Sequence, residues 1–170
     1  MLTPEKFGRA LAPLLRPLSL RILLEPGRFL VGNAGVLVTQ VLYRKQIGRK
    51  RFVIVDAAMT DLIRPMLYEA YHQIVPVRRM PGRKVERVDV VGPVCESGDC
   101  FASDRPLPVV KEGEFLAILS AGAYGMVMAS NYNGRPMPAE VLVEGEAARL
   151  IRRRQTIEEL MQWELDGKTL

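Results

Sequence analysis

A mainly β domain with some α+β character, preceded by the last helix–strand unit of an incomplete α/β barrel, is the fold class that this sequence predicts. Three observations carry the prediction. Short runs rich in β-branched residues recur between Gly, Pro and polar turn clusters from residue 35 onward. Before them, one capped helix leads into an apolar run and the charged turn Glu25-Pro26-Gly27-Arg28, the order of one unit in a parallel β/α barrel, whose chemistry sits at the C-terminal ends of its strands. Finally, 170 residues that are 48% apolar can bury one sizeable core, or one complete domain with a piece of another. The expected division is residues 1–34 as the terminal fragment of an α/β barrel, 35–164 as a C-terminal β-barrel or sandwich domain with helices, and 165–170 as a tail.

Each element has a local cause. Thr3-Pro4-Glu5 opens a helix with a hydroxyl cap, a proline where no amide is missed and an acid for the dipole, and the helix should run to Leu15, short of Pro17. Residues 18–24 are strongly apolar, as a strand buried on both faces would be. Residues 35–44 and 51–56 read as two strands joined by a polar turn. A helix is expected from Thr60 or Asp61 to about Ala70, followed by strands at 72–77 and 85–91 with a Pro81-Gly82 turn between them. Residues 115–120 continue the sheet, which Gly122-Ala123-Tyr124-Gly125 ends. Residues 131–138, crowded with Asn, Gly and Pro, make a surface loop. A hairpin about Glu144-Gly145-Glu146 joins 139–143 to 147–152, and Thr156-Ile157-Glu158-Glu159 has the capping-box spacing that opens a last helix.

Composition excludes several functional classes. The formal net charge of +5 is partly local, in Arg49-Lys50-Arg51, Arg78-Arg79 and Arg152-Arg153-Arg154. These clusters are brief and lack interleaved aromatics, so a solvated face is expected rather than nucleic-acid binding. An anionic small-molecule substrate suits the same balance. No apolar run of about 18 residues or more exists, so no membrane span is expected, and the first residues lack the pattern of a leader, which points to the cytoplasm. Cys95 and Cys100 are expected as free thiols, and with no further cysteines and no HExxH motif there is no zinc site. His72, the lone histidine, reads as a surface or capping residue.

The most chemically equipped stretch is Gly92-Pro93-Val94-Cys95-Glu96-Ser97-Gly98-Asp99-Cys100. It follows a strand that Gly92-Pro93 must stop, because proline lacks the amide a ladder needs. A lone cysteine after a strand is commonly a small buried hydrophobe. The adjacent Glu96 weakens that reading, since a carboxylate needs water or a partner. Elsewhere, Arg64 and Tyr68 lie four apart and project from one helix face, which suits clamping a carboxylate but also fits an ordinary surface pair. Arg28 can make a planar two-point contact with a phosphate or carboxylate, beside a Gly27 that permits close backbone approach, although a strand-to-loop turn with its arginine in water has the same wording. Tyr124 reads as a site residue or as a packed aromatic at a strand end.

Taken together these motifs resemble one family. Gly92-Pro93-Val94-Cys95-Glu96-Ser97-Gly98-Asp99 is similar to the signature of diaminopimelate decarboxylase, a pyridoxal-phosphate enzyme, and Glu96 favours this branch over ornithine- or arginine-directed relatives, which carry aspartate there. Leu24-Glu25-Pro26-Gly27-Arg28, Val55-Asp56-Ala57-Ala58-Met59, the stretch from Asp61 to Tyr68, Gly122-Ala123-Tyr124-Gly125 and Ser130-Asn131-Tyr132-Asn133 occur in the family's order and spacing. Cys100 departs from the pattern, which is usually apolar or aromatic there, as does Ala57-Ala58, where many members have glycine.

The resemblance implies an N-terminal α/β barrel of alanine-racemase type joined to a C-terminal β domain. It implies pyridoxal 5'-phosphate as cofactor, with Glu25 on the ring nitrogen and Gly27, Arg28 and Tyr124 at the phosphate. It implies meso-diaminopimelate as substrate, held by Arg28, Arg64, Tyr68, Glu96 and Tyr124, with Cys95 as the general acid that returns a proton to the α-carbon. It further implies a homodimer in which the Cys95–Glu96 loop enters the partner's site. No lysine here resembles the family's cofactor-binding lysine. The chain is therefore expected to be the C-terminal part of such an enzyme, inactive alone and dependent on a barrel supplied upstream or by another polypeptide. The alternative is a non-catalytic module that docks on a full-length decarboxylase. In either case Leu11, Leu14, Leu15, Ile22, Leu23 and Leu24 should be exposed and promote association.

Overall fold

The computed structural model describes residues 3–165. The proposed tail lies outside them, apart from residue 165, which ends the last helix. Helix α1 (Pro4–Leu15) starts and stops where its signals place it, with Thr3 Oγ1 accepting the Lys6 amide at 3.3 Å. None of its residues is buried. The strand expected at 18–24 does not form: a 3-10 turn covers Arg16–Leu18, and the chain then runs without regular structure to α2 (Gly27–Val31). A strand buried on both faces exists only between neighbouring strands, and none of the described strands lies beside this stretch. Leu14, Ile22, Leu23 and Leu24 are instead exposed, Leu23 by 75%, as the sequence led one to expect, whereas Leu11 and Leu15 are half-buried.

The remainder is a mainly β domain. Strands β1 (Leu37–Ile47), β2 (Lys50–Val55), β3 (Ile74–Pro76), β4 (Val85–Val91), β5 (Cys100–Pro108) and β6 (Phe115–Ile118) form one sheet in the order β3-β6-β1-β2-β4-β5. All its pairings are antiparallel except β2 with β4. The sheet curls until its two edges nearly meet: Arg105 of β5 donates from Nη1 to the carbonyl of His72, just ahead of β3, at 2.8 Å. The result is a nearly closed barrel filled by Val41, Val53, Val55, Val90, Leu107 and Leu116 with their neighbours. Val88 and Val90 alternate inward along β4, as a half-buried strand requires.

Strand β5 has no counterpart in the sequence reading. Asp104, Pro106 and Pro108 look like loop chemistry, yet β5 is an edge strand, where missing amides cost no ladder bond. His72 is also corrected. It is 1% exposed, not on the surface, with Nδ1 donating to the Leu119 carbonyl at 2.9 Å.

Outside the barrel, α3 (Arg64–Tyr68) is shorter than the helix expected from Thr60 to Ala70. Residues before it form a turn in which Asp61 Oδ2 accepts the Ala58 amide at 2.8 Å, and Glu69 ends it in the left-handed region at φ 51°. Strands β7 (Glu140–Glu144) and β8 (Ala147–Arg152) form the expected hairpin. Helix α4 (Ile157–Leu165) opens on the reciprocal capping box, Thr156 N to Glu159 Oε2 at 2.9 Å and Glu159 N to Thr156 Oγ1 at 3.2 Å. Among the described residues no helix is long and apolar enough to cross a membrane.

One ion pair is expected to tie the stability of the barrel to pH. Arg83 grips both oxygens of Glu114 at 2.7 Å, and Glu114 Oε2 also accepts the Lys111 amide at 2.8 Å. The guanidinium, then the amide, hold the Glu114 carboxyl down at about 2, against an ordinary 4.5. A carboxyl lowered by folding stabilises above its unfolded pKa and loses that contribution as pH falls through the folded one. Acid melts between pH 4.5 and about 2 should therefore show a stability loss, modest for a pair this exposed, that Glu114→Gln reduces.

Candidate functional site

The end of β6 sets up the site. Ser120 and Tyr124 both sit in the left-handed region, at φ 60° and 58°, so the chain turns back on itself after the last barrel strand. Gly122 makes the turn possible by lying against the backbone of the α2 region: its amide donates to the Gly32 carbonyl at 3.0 Å, and a Cβ there would overlap the Val31 carbonyl oxygen. Gly35 is pressed against Gly122 in the same way. The glycines of Gly122-Ala123-Tyr124-Gly125 thus serve backbone crossing as well as display of Tyr124. Gly122→Ala is expected to cost about 1–3 kcal/mol, the usual penalty of overpacking, read as a lowered thermal midpoint.

This crossing brings α2, α3 and the Tyr124 turn around one cleft of about 650 Å³. Arg28, Arg64, Tyr68 and Tyr124 all line it, joined by Asn33 and Ser120, whose Oγ donates to Asn33 Oδ1 at 2.7 Å. The Arg64 guanidinium lies over the Tyr124 ring with its carbon 5.9 Å from the centroid. Arg64 Nε is buried without a hydrogen-bond partner among the described residues. Two arginines and two phenols opening onto one cavity have the chemistry to receive a small anionic group, a phosphate or a carboxylate.

The other candidates lie elsewhere. Glu25 is exposed and does not line the cleft, and a Cβ on Gly27 would meet nothing within 4 Å, so no close approach within this chain explains that glycine. Cys95 is an exposed free thiol on the loop between β4 and β5 and does not line the cleft either. Glu96, on the same loop, accepts from the Gly98 amide at 3.2 Å and from the Tyr132 hydroxyl at 3.4 Å. The loop rests on α3, since Gly98 is so close to Met66 that a Cβ would come within 2.8 Å of its Cγ. One helix therefore carries Arg64 and Tyr68 into the cleft and Met66 against the loop.

A polar cluster that the sequence reading did not anticipate underlies both. Arg135 donates to the Asp56 carbonyl at 2.8 Å and to Thr60 Oγ1 at 3.2 Å, and pairs with Asp61 at 3.5 Å. Asp99 is 4% exposed, and its carboxylate accepts the amides of Met59 at 2.7 Å and Val94 at 2.8 Å. Burial raises its pKa above the ordinary 3.8, against the pull of the two amides and Arg135. These contacts join residues 40 and 75 positions apart, which no local spacing signals.

Comparison with known proteins identifies the family of the fold. Residues 28–122 match the family described as pyridoxal-dependent decarboxylase, C-terminal sheet domain. Diaminopimelate decarboxylase of Aquifex aeolicus is 50% identical over 163 residues, 96% of this chain and 39% of the relative. That of Zymomonas mobilis is 49% identical over 158 residues, 93% of this chain and 37% of the relative. The crystal structure of diaminopimelate decarboxylase from Helicobacter pylori complexed with L-lysine superposes with a TM-score of 0.86 at 43% identity, covering 98% of this chain and 41% of that one. The chain thus spans about two-fifths of the length of the relatives it matches.

Proposed function

This chain belongs to the pyridoxal-dependent decarboxylase family through its C-terminal sheet domain, and from that premise we propose that it is the sheet-domain part of a diaminopimelate decarboxylase, releasing CO2 from meso-2,6-diaminopimelate to leave L-lysine. The observation that carries the reading is the convergence of Arg28, Arg64, Tyr68 and Tyr124 on one cleft, with the Cys95–Glu96 loop mounted on the back of the same helix.

The cleft fits the cofactor's anionic end. Arg28 and Tyr124 would hold the phosphate of pyridoxal 5'-phosphate, with Gly27 at the approach, and Glu25 would keep the ring nitrogen protonated once a barrel surrounds it. When bound, the cofactor supplies the ring that withdraws the electron pair left on the α-carbon as CO2 departs. The remaining work falls to this chain. Arg64 presents a planar fork, and Tyr68 a hydroxyl one helical turn away, to hold a substrate carboxylate. Glu96 pairs with the distal ammonium, and that remote contact fixes which carboxylate is aligned for departure. As the bond to CO2 breaks, the Cys95 thiol donates its proton to the α-carbon, and the new C–H bond takes up the electron pair that the departing carboxylate left.

Cys95 and Glu96 do not line the cleft of their own chain. We therefore assign them to the cleft of a second copy in a dimer, each site being built from one chain's clamp and the other chain's loop. A docking module would have no use for an exposed thiol beside a carboxylate.

The experiment is a chimera in which the upstream part of the Aquifex aeolicus relative precedes this chain. Purified and supplied with pyridoxal 5'-phosphate, it is expected to release CO2 from meso-diaminopimelate, yield lysine, and leave ornithine and arginine untouched. A folded, cofactor-binding chimera that acts on none of them would overturn the reading.

A further inference from the structure

We propose that Asp99 is a positioning residue that fixes the loop bearing Cys95 and Glu96, acting as a two-sided carboxylate clamp between the chain after β2 and the start of the loop. The inference rests on the assignment of Cys95 and Glu96 to the reaction, but its geometry stands apart from that.

The loop is closed at its neck and at its tip. Gly92 donates to the Asp99 carbonyl at 3.0 Å, and the Asp99 amide donates to the Glu96 carbonyl at 3.0 Å. The Asp99 side chain turns inward beneath this ring. One oxygen takes the Met59 amide from the segment that follows β2, and the other takes the Val94 amide beside Cys95. Gly92 leaves the room, because a Cβ there would overlap the carboxylate. Gly98 seats the opposite side on Met66. Glu96 and Cys95 thus ride on a short loop whose backbone is fastened to the barrel at one buried group.

Only a carboxylate satisfies this arrangement. Both partners are N–H donors, and a carboxylate accepts at both oxygens, whereas the amide of asparagine, equal in shape, accepts at one and donates at the other. In Asp99→Asn one backbone amide must face an NH2 group. A residue that merely filled space would tolerate the change.

Two measurements test the clamp. In the 170-residue chain, the Met59 and Val94 amides should resist hydrogen exchange, and Asp99→Asn should speed exchange at one or both by roughly tenfold or more, the loss of a hydrogen bond to a charged group. In the chimera, at temperatures where both forms are folded, Asp99→Asn should raise KM for meso-diaminopimelate and lower kcat, while cofactor binding stays unchanged. Freely exchanging Met59 and Val94 amides in the unsubstituted chain would overturn the proposal without any variant. So would an Asp99→Asn form with unaltered protection and unaltered kinetics. If the unsubstituted chimera does not decarboxylate, the functional reading fails on its own, and the exchange data alone decide: faster exchange confined to the two amides supports the clamp, and unchanged exchange removes it.

Discussion

Cys95→Ala in the chimera is expected to lower kcat for lysine formation by roughly 100- to 10,000-fold, the usual contribution of a positioned general acid, with little change in KM. The thiol makes no described hydrogen bond and is exposed on its loop, so its removal should leave the thermal midpoint where it was. An effect on rate without one on stability marks a group that meets the reacting atoms rather than one that packs. Cys95→Ser should recover little, because an alcohol gives up its proton far less readily than a thiol. A rate within a few-fold of the parent's would remove Cys95 from the proposed mechanism.

Arg64→Met is the second large effect, and it separates binding from folding. In the cleft, the guanidinium is expected to hold a carboxylate through a charge-assisted pair of about 1.5–3 kcal/mol, so its loss should reduce kcat/KM by roughly 10- to 150-fold. Arg64→Lys keeps the charge but not the planar fork and should recover only part. Stability should move the other way or not at all. Arg64 Nε is buried without a partner among the described residues, and an unsatisfied buried donor costs about 1–3 kcal/mol, so an apolar replacement of similar length relieves it. A thermal midpoint held or raised together with a collapsed kcat/KM is the expected pair of results. A falling midpoint with intact kinetics would make Arg64 a structural residue.

Much of this architecture was legible before any coordinates, and what was missed shares a cause. Strand β4 occupies the span read from its β-branched run, and the β7–β8 hairpin and the Thr156 capping box lie where turn and cap chemistry put them. All of these depend on neighbours in sequence. The strand expected at 18–24 failed because its apolar run needs flanking strands to become a ladder. Strand β5 was invisible because Pro106 and Pro108 argue against a strand, and only its place at the edge of the sheet admits them.

The site divides along the same line. Arg28, Arg64, Tyr68 and Tyr124 carry local motif wording and do converge. The separation of Cys95 and Glu96 from that cleft could not be read from spacing. Nor could the anchoring of their loop by Asp99, which depends on an amide 40 residues away.

In the proposed dimer each active site takes its clamp from one chain and its proton donor from another. Mixing the chimera carrying Cys95→Ala with the chimera carrying Arg64→Met, under conditions where subunits exchange, tests it most directly. Alone, the first keeps about a hundredth of the activity or less and the second about a tenth or less, yet a mixed dimer would hold one intact site, so at equal amounts with random pairing and substrate below KM the activity should rise to roughly a quarter of the unsubstituted level. Activity that stays at the level of the two parents, with mixed dimers demonstrably formed, would contradict the account.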